Sequence, residues 1–126
     1  MTTEVCVQCL KKICQHILEA RKDIESLVQT IQAKYKGSLI YCEQDLDKLQ
    51  RIALWSAINH MIDTTFRDGQ SIAPMEFIAV KKVEERHPSS TVIMSEYSGC
   101  NRALGGILKI NPYNIEEITK AIDAAI

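Results

Sequence analysis

The sequence lacks an excess of charge of either sign. It carries 15 basic and 16 acidic side chains, which give a formal net charge of −1 at pH 7. Nucleic acids and anionic membrane surfaces attract strongly basic patches, so this balance gives no electrostatic reason to expect either partner. With 46% hydrophobic and 25% charged residues, the composition is typical of a soluble globular protein.

Long apolar runs and targeting segments are also missing. No stretch approaches the roughly 18 to 20 apolar residues that a membrane-spanning helix needs. Residues 1–5 have neither a basic region nor a long apolar segment, which argues against a secretory signal. We therefore expect a cytoplasmic chain, and 126 residues suffice for one domain with a moderate core.

The cysteines do not form a disulfide framework, because their number is odd and their spacing uneven: Cys6, Cys9, Cys14, Cys42 and Cys100. Cys6 and Cys9, with Cys14 and His16 nearby, raise the alternative of a zinc or redox site. A structural zinc ion needs four converging ligands, and no second cysteine pair has that spacing. We expect reduced thiols, no metal and no cofactor.

Hydrophobic periodicity divides the chain into one long helix and then alternating strands and helices. The long helix is predicted over about 5–36, with Gly37 as its stop. Four strands are predicted, at 39–42, 60–65, 91–94 and 107–110. Further helices are predicted at 45–56, 72–85 and 99–104 and from 114 onward.

Caps and inward faces are predicted for two of these helices. Asp45 is the expected N-cap of the second helix, and Asn114 with Glu117 resembles a capping box at the last one. The residues expected to face the core are Leu46, Leu49, Ala53, Leu54 and Trp55 in the second helix and Ile115, Ile118, Ile122 and Ala125 in the last.

Alternating strands and helices imply an α/β fold with about four parallel strands and flanking helices. Ligands of such sheets bind outside the carboxyl ends of the strands. Two polar, glycine-containing turns follow predicted strands, so both are expected at that edge.

The first turn, RDGQSIAPME at residues 67–76, joins a strand to a helix start. The first turn of a helix has N–H groups without internal partners and a positive dipole end, which together favour an anion. Asp68 and Glu76 add carboxylates before and inside the helix. This arrangement suits a ligand with a central phosphate and hydroxyls at both ends, such as a nucleotide sugar.

Three segments resemble motifs of the trehalose-6-phosphate synthase family, glycosyltransferase family 20, whose members have the GT-B fold. RDGQSIAPME is similar to RDGMNLVxxE, SEYSGCNRAL at residues 95–104 is similar to SEFAGAAxEL, and NPYNI at residues 111–115 is similar to NP(Y/W)(D/N)(I/V). The resemblance covers residues from about 12 to 126. In the family this stretch is only the last part of a longer enzyme, which implies that residues 1–126 are a single, partial Rossmann-like domain, the C-terminal nucleotide-sugar-binding part.

The resemblance implies UDP-glucose as the donor and glucose 6-phosphate as the acceptor, with retention at the anomeric carbon and no metal. Asp68 matches the carboxylate that contacts the glucose hydroxyls, and Glu76 matches the one that binds the ribose. Backbone N–H groups of the turn match those that hold the sugar and diphosphate, here in Gly69, Gln70, Ser71, Ile72 and Ala73.

The chain also departs from the family pattern. Gln70 and Ser71 replace Met and Asn, and residues 100–102 replace small residues and an acid. Ser95 is expected to be structural and Glu96 a weak site candidate. No match exists for the Arg and Lys that grip the donor diphosphate, and the acceptor domain is missing, so we assign no catalytic residue and expect no turnover by this chain alone.

Two alternatives remain open. In the first, the chain is the donor-binding part of a synthase. In the second, it is a truncated, non-catalytic relative that acts as an interaction or regulatory subunit, with a full-length synthase as partner. At the residue level, Asp68 and Ser71 could merely cap the helix while Glu76 faces solvent.

Overall fold

The computed structural model describes residues 15–37, 39–84 and 90–126, in two compact units, one up to Leu46 and one from Asp47 onward. The cysteines at 6, 9 and 14, the side chain of His16 and the part of the long helix predicted before Gln15 lie outside the described residues. No described helix is both long enough and apolar enough to cross a membrane.

The first unit contains the long helix α1, Gln15–Lys34. Gly37 follows it with a φ of 75°, a left-handed conformation that favours glycine and fits the predicted stop. The predicted strand at 39–42 is wrong, because this segment is irregular. Side chains form hydrogen bonds with this segment in place of a neighbouring strand. Gln32 Nε2 donates to the Leu39 carbonyl at 3.1 Å, and the Tyr41 hydroxyl donates to Glu43 at 3.1 Å.

The second unit contains a parallel three-stranded sheet in the order β1-β2-β3 and three α-helices. Its elements are α2 (Lys48–Ala57), β1 (His60–Asp63), α3 (Ile72–Glu84), β2 (Thr91–Ser95), a 3₁₀ helix (Gly99–Arg102), β3 (Leu108–Ile110) and α4 (Ile115–Ala125). The α/β class and the parallel sheet are confirmed. The sheet has three strands instead of about four, because residues 39–42 do not join it.

The N-cap of helix α2 lies two residues later than predicted. Its N-cap is Asp47, whose side chain accepts from the Gln50 N–H at 2.8 Å while the Gln50 side chain accepts from the Asp47 N–H at 2.9 Å. This reciprocal capping box satisfies two N–H groups at the helix start. Asp45 is therefore not the cap, and Leu49, predicted to face inward, is 77% exposed.

The core of the second unit lies between α2, α3 and the sheet. Trp55 and Phe77 meet edge to face, with ring centroids 6.4 Å apart, an arrangement that aromatic pairs favour. In the central strand β2, Ile93 and Met94 are completely buried, as predicted from its nearly continuous apolar sequence. Trp55 is confirmed as a core residue.

Helix α4 begins as predicted but packs less deeply. The Asn114 side chain accepts from the Glu117 N–H at 3.3 Å, which confirms the N-cap. The Glu117 carboxylate instead accepts from the Asn111 N–H, so the reciprocal half of the predicted capping box is absent. Ile115 is 78% exposed, which contradicts its predicted place in a buried stripe.

Candidate functional site

The two motif turns meet at the carboxyl edge of the sheet, as the strand order requires. Asp68, five residues beyond β1, forms a parallel bridge with Ser98, three residues beyond β2. The Gly99 N–H donates to the Asp68 carbonyl at 3.0 Å. The backbone thus fixes the first turn against the second.

A close approach between two glycines explains why position 99 has no side chain. A Cβ atom at Gly99 would lie 1.7 Å from the Gly69 carbonyl oxygen and 2.7 Å from its carbonyl carbon, both backbone atoms. No side chain fits there unless one of the turns moves. A Cβ atom at Gly69 itself would meet nothing within 4 Å.

The first turn of α3 presents backbone donors beside these glycines. The N–H groups of Ile72 and Ala73 belong to the helix start and have no partner inside the helix. Pro74 contributes no N–H and is fully buried, as a proline in a first helical turn can be. Gly69 and Gln70 are exposed, so the turn is open to solvent at its beginning.

Asp68 uses its backbone in the contact with the second turn and keeps its carboxylate available. The residue is partly buried. No described residue donates a hydrogen bond to its side chain, so Asp68 does not cap α3. Its two oxygens can therefore accept from hydroxyl groups of a ligand.

Glu76 lies one turn further along α3 and is held by two side chains of α2. Arg51 donates from Nε to Oε2 and from Nη2 to Oε1, each at 3.1 Å, and Trp55 Nε1 donates to Oε2 at 3.2 Å. The hydrogen bond from Arg51 is the main cause that lowers the pKa of Glu76, against the opposing effect of burial. The alternative that Glu76 merely faces solvent is wrong, since its side chain is 28% exposed and ion-paired.

Arg51 is absent from the residues that the sequence predicts for this site. The only sequence signal for it is its spacing from Trp55, because residues four apart lie on one face of a helix. The pairing with Glu76 spans 25 residues and depends on how α2 packs against α3.

The second turn is held in place by hydrogen bonds from two of the residues that depart from the family pattern. Cys100 and Asn101 are buried. The Cys100 thiol donates to the Ser71 carbonyl at 3.1 Å, and the Asn101 side chain donates to the Ser95 carbonyl. Ser95 is completely buried, in agreement with its expected structural role. These departures therefore build the turn rather than expose new charge, with the exception of the exposed Arg102.

An aromatic cluster lies at the same edge of the sheet. It consists of Phe66, Tyr97 and Tyr113, one ring after each of the three strands. The Tyr113 ring centroid lies 4.6 Å from that of Phe66 and 6.1 Å from that of Tyr97. The side chains are 55%, 47% and 71% exposed in chain order, so the three rings present apolar surface to solvent at this edge.

Two further features, away from the motif turns, bear on binding chemistry. In the described part of the chain, no group of three or more His, Cys, Asp or Glu side chains could hold a metal ion; the Cys6–Cys9 pair lies outside it. A cavity of about 350 Å³ lies beside Phe77, Lys81, Lys82 and Gly106, and includes none of the residues predicted to bind the donor.

The sequence is similar to that of a known enzyme family. Residues 3–126 match the sequence pattern of glycosyltransferase family 20. The chain is 34% identical over 89 residues to a probable α,α-trehalose-phosphate synthase (UDP-forming) of Arabidopsis thaliana, which covers 70% of this chain and 11% of the relative.

Solved structures share the fold. The α,α-trehalose-phosphate synthase (UDP-forming) of Burkholderia xenovorans in complex with glucose-6-phosphate superposes with a TM-score of 0.82 at 16% identity, covering 97% of this chain and 27% of that one. A structure from E. coli bound with UDP-2-fluoro glucose has a TM-score of 0.77 at 23% identity and covers 89% and 25%. The chain thus spans a small part of the relatives that it matches. It belongs to glycosyltransferase family 20.

Proposed function

We propose that this chain binds UDP-glucose at the carboxyl edge of its sheet, as the donor-binding part of a trehalose-6-phosphate synthase. The observation that carries the proposal is the junction of the two motif turns, where Gly99 holds the Asp68 carbonyl and the first turn of α3 opens beside it. This junction brings the Asp68 carboxylate close to the helix-start N–H groups, at a turn whose first residues are exposed to solvent.

Each part of the site suits one part of the donor. The Asp68 carboxylate accepts from vicinal glucose hydroxyls, since a carboxylate offers two acceptor oxygens. Helix-start N–H groups donate to diphosphate oxygens, and the helix dipole favours their negative charge. The amides that serve the sugar and diphosphate are those of Gly69, Gln70, Ser71, Ile72 and Ala73, and Glu76 accepts from the ribose.

In this proposal the chain does not transfer glucose by itself. Transfer from UDP-glucose to glucose 6-phosphate requires that the acceptor oxygen reach the anomeric carbon, which demands a second binding surface opposite the donor. The chain spans 27% of the Burkholderia enzyme, and the proposal assigns acceptor binding to the part of a synthase that this chain does not span.

The test is calorimetric titration of the full chain with UDP-glucose. We expect saturable binding, and we expect Asp68→Ala to abolish it by removing the acceptor of the sugar hydroxyls. Asp123→Ala, which removes an exposed carboxylate from α4, serves as the matched control and should bind like the unmodified chain. Unchanged affinity in Asp68→Ala would rule out the proposed role of this residue.

A second candidate function is that of a non-catalytic subunit that docks onto a full-length synthase. The aromatic cluster of Phe66, Tyr97 and Tyr113 favours it, because exposed apolar patches of this kind mark interaction surfaces. Capture of a purified full-length synthase by the chain, lost in Tyr113→Ser, would support this function. Capture that the substitution leaves intact would exclude this surface.

A further inference from the structure

The carboxylate of Glu76 already accepts three hydrogen bonds from protein side chains, so fewer of its acceptor positions remain for a ribose. Among the described residues, Arg51 contributes two N–H donors and Trp55 contributes one. All three lie between 3.1 and 3.2 Å from the oxygen that they contact.

The number of remaining acceptor positions follows from the geometry of a carboxylate. Its two oxygens have about four lone-pair directions in total, two on each. Oε2 accepts from both Arg51 Nε and Trp55 Nε1, so its two directions are used. Among the residues that the structure describes, Oε1 accepts only from Arg51 Nη2, which leaves one direction for another donor.

The clamp around Glu76 is built on the packed part of the molecule. Trp55 is 6% exposed and packs edge to face on Phe77, which fixes the position of its indole N–H. Arg51 lies one helical turn earlier on α2, and its planar guanidinium binds the carboxylate through two N–H groups, the arrangement that restricts orientation most. The carboxylate therefore keeps one orientation, yet at 28% exposure it remains accessible to a ligand.

We propose that Arg51 and Trp55 are positioning residues that limit Glu76 to one hydrogen bond from the ribose diol. The proposal rests on the UDP-glucose site of the preceding section and adds a specificity to it. Two adjacent hydroxyls would need a vacant direction on each oxygen, whereas only Oε1 has one. One ribose hydroxyl is then recognised by Glu76 and the other is not.

Deoxy analogues of the nucleotide test this directly. Calorimetry on the full chain compares UDP, 2′-deoxy-UDP and 3′-deoxy-UDP. We expect one analogue to lose about tenfold or more in affinity, the effect of a hydrogen bond to a charged group, and the other to bind within about twofold of UDP. Equal losses for both analogues, or no loss for either, would overturn the proposal.

Substitution of the clamp changes the expected pattern rather than the affinity alone. Arg51→Met removes both guanidinium donors and frees a direction on each oxygen, so the analogue that was tolerated should become as sensitive as the other. Trp55→Phe frees a direction on Oε2 only and should have the same effect. It therefore keeps the test available if Arg51→Met does not fold. Arg21→Met, which removes an arginine from the Arg21–Glu43 pair of the first unit, is the matched control and should keep the original pattern. A pattern that both clamp variants leave unchanged would contradict the role of Arg51 and Trp55, whereas a loss of packing alone would weaken all three nucleotides together.

A measurement without ligand separates this inference from the proposed function. Trp55 is the sole tryptophan of the chain, so its indole N–H gives a single signal in a proton NMR spectrum. Glu76→Gln should shift that signal, since it changes the acceptor. If UDP produces no heat while the signal shifts, the clamp exists but the proposed function and the ribose role both fail. If UDP binds and both analogues lose affinity alike, the present inference alone fails.

Discussion

At the scale of single residues, the contact between Gly69 and Gly99 sets the shape of the candidate site. The position of Gly99 is determined by its neighbours rather than by its own backbone conformation, because the space that a Cβ atom would need is filled by the Gly69 carbonyl. The same turn is held by the Gly99 N–H on the Asp68 carbonyl. In the proposed function, donor binding and local packing therefore depend on one junction.

Gly99→Ala should destabilise the chain by about 1–3 kcal/mol, the usual cost of forcing extra volume into a packed site. It should also weaken UDP-glucose binding, because one of the two turns must shift. Urea denaturation and calorimetry measure the two effects. Gly105→Ala is the control, since its Cβ atom would meet nothing within 4 Å, and its free energy of unfolding should change by no more than about 0.5 kcal/mol. A stable Gly99→Ala variant with unchanged binding would refute the close contact.

The Arg51–Glu76 pair predicts a pH dependence of stability. The pKa of Glu76 is lowered in the folded chain, chiefly by Arg51, so the pair stabilises the folded state above the ordinary carboxyl pKa of about 4.3. That contribution is lost as the pH falls through the lowered pKa. The stability difference between the unmodified chain and Glu76→Gln should thus be constant from pH 7 to about 5 and shrink below about 4.

Urea denaturation at a series of pH values measures this difference. Asp123→Asn makes the same change of charge at an exposed position, and it should show no comparable loss of the difference at low pH. A Glu76→Gln difference that grows as the pH falls would have the opposite sign to the one expected and would contradict the assignment of Arg51 as the dominant partner.

At the scale of elements, the sequence predicts the strands correctly where the local hydrophobic pattern is enough to specify them. The three strands β1, β2 and β3 are short apolar runs between turn residues, and all three occur where they are predicted. The segment 39–42 has the same local pattern but is irregular, since a strand also needs a neighbouring strand, which the pattern does not reveal.

Helix α2 shows that a sequence signal can be present and still be missed. Both Asp45 and Asp47 are good N-cap residues. Only Asp47 has a glutamine three positions later, and Gln50 completes the capping box in the structure. Leu49 therefore lies in the first turn of the helix, where it is 77% exposed.

Asp47→Ala should destabilise the second unit by about 1 kcal/mol, the typical cost of losing an N-cap. Asp45→Ala removes the neighbouring aspartate that does not cap and should change the free energy of unfolding by less than about 0.5 kcal/mol. Thermal or urea denaturation of both variants makes the comparison. Equal losses of stability in the two variants would contradict the assignment of Asp47 as the N-cap.

At the scale of the whole molecule, the edge of the sheet was predictable but the connections across it were not. Parallel strands that alternate with helices place the turns after β1 and β2 side by side, and the bridge between Asp68 and Ser98 agrees with that rule. The clamp on Glu76 joins residues 25 positions apart through the packing of α2 on α3. No local pattern specifies such a contact, because it depends on how two helices dock.

The central claim is that the first turn of α3 and the junction beside it receive UDP-glucose. Its most direct test is the set of backbone amide NMR shifts of the isotope-labelled full chain during titration with UDP-glucose. We predict saturable shifts concentrated at residues 68–73 and 98–99. Shifts confined to the cavity beside Lys81, Lys82 and Gly106, or no shifts at saturating ligand, would contradict the account.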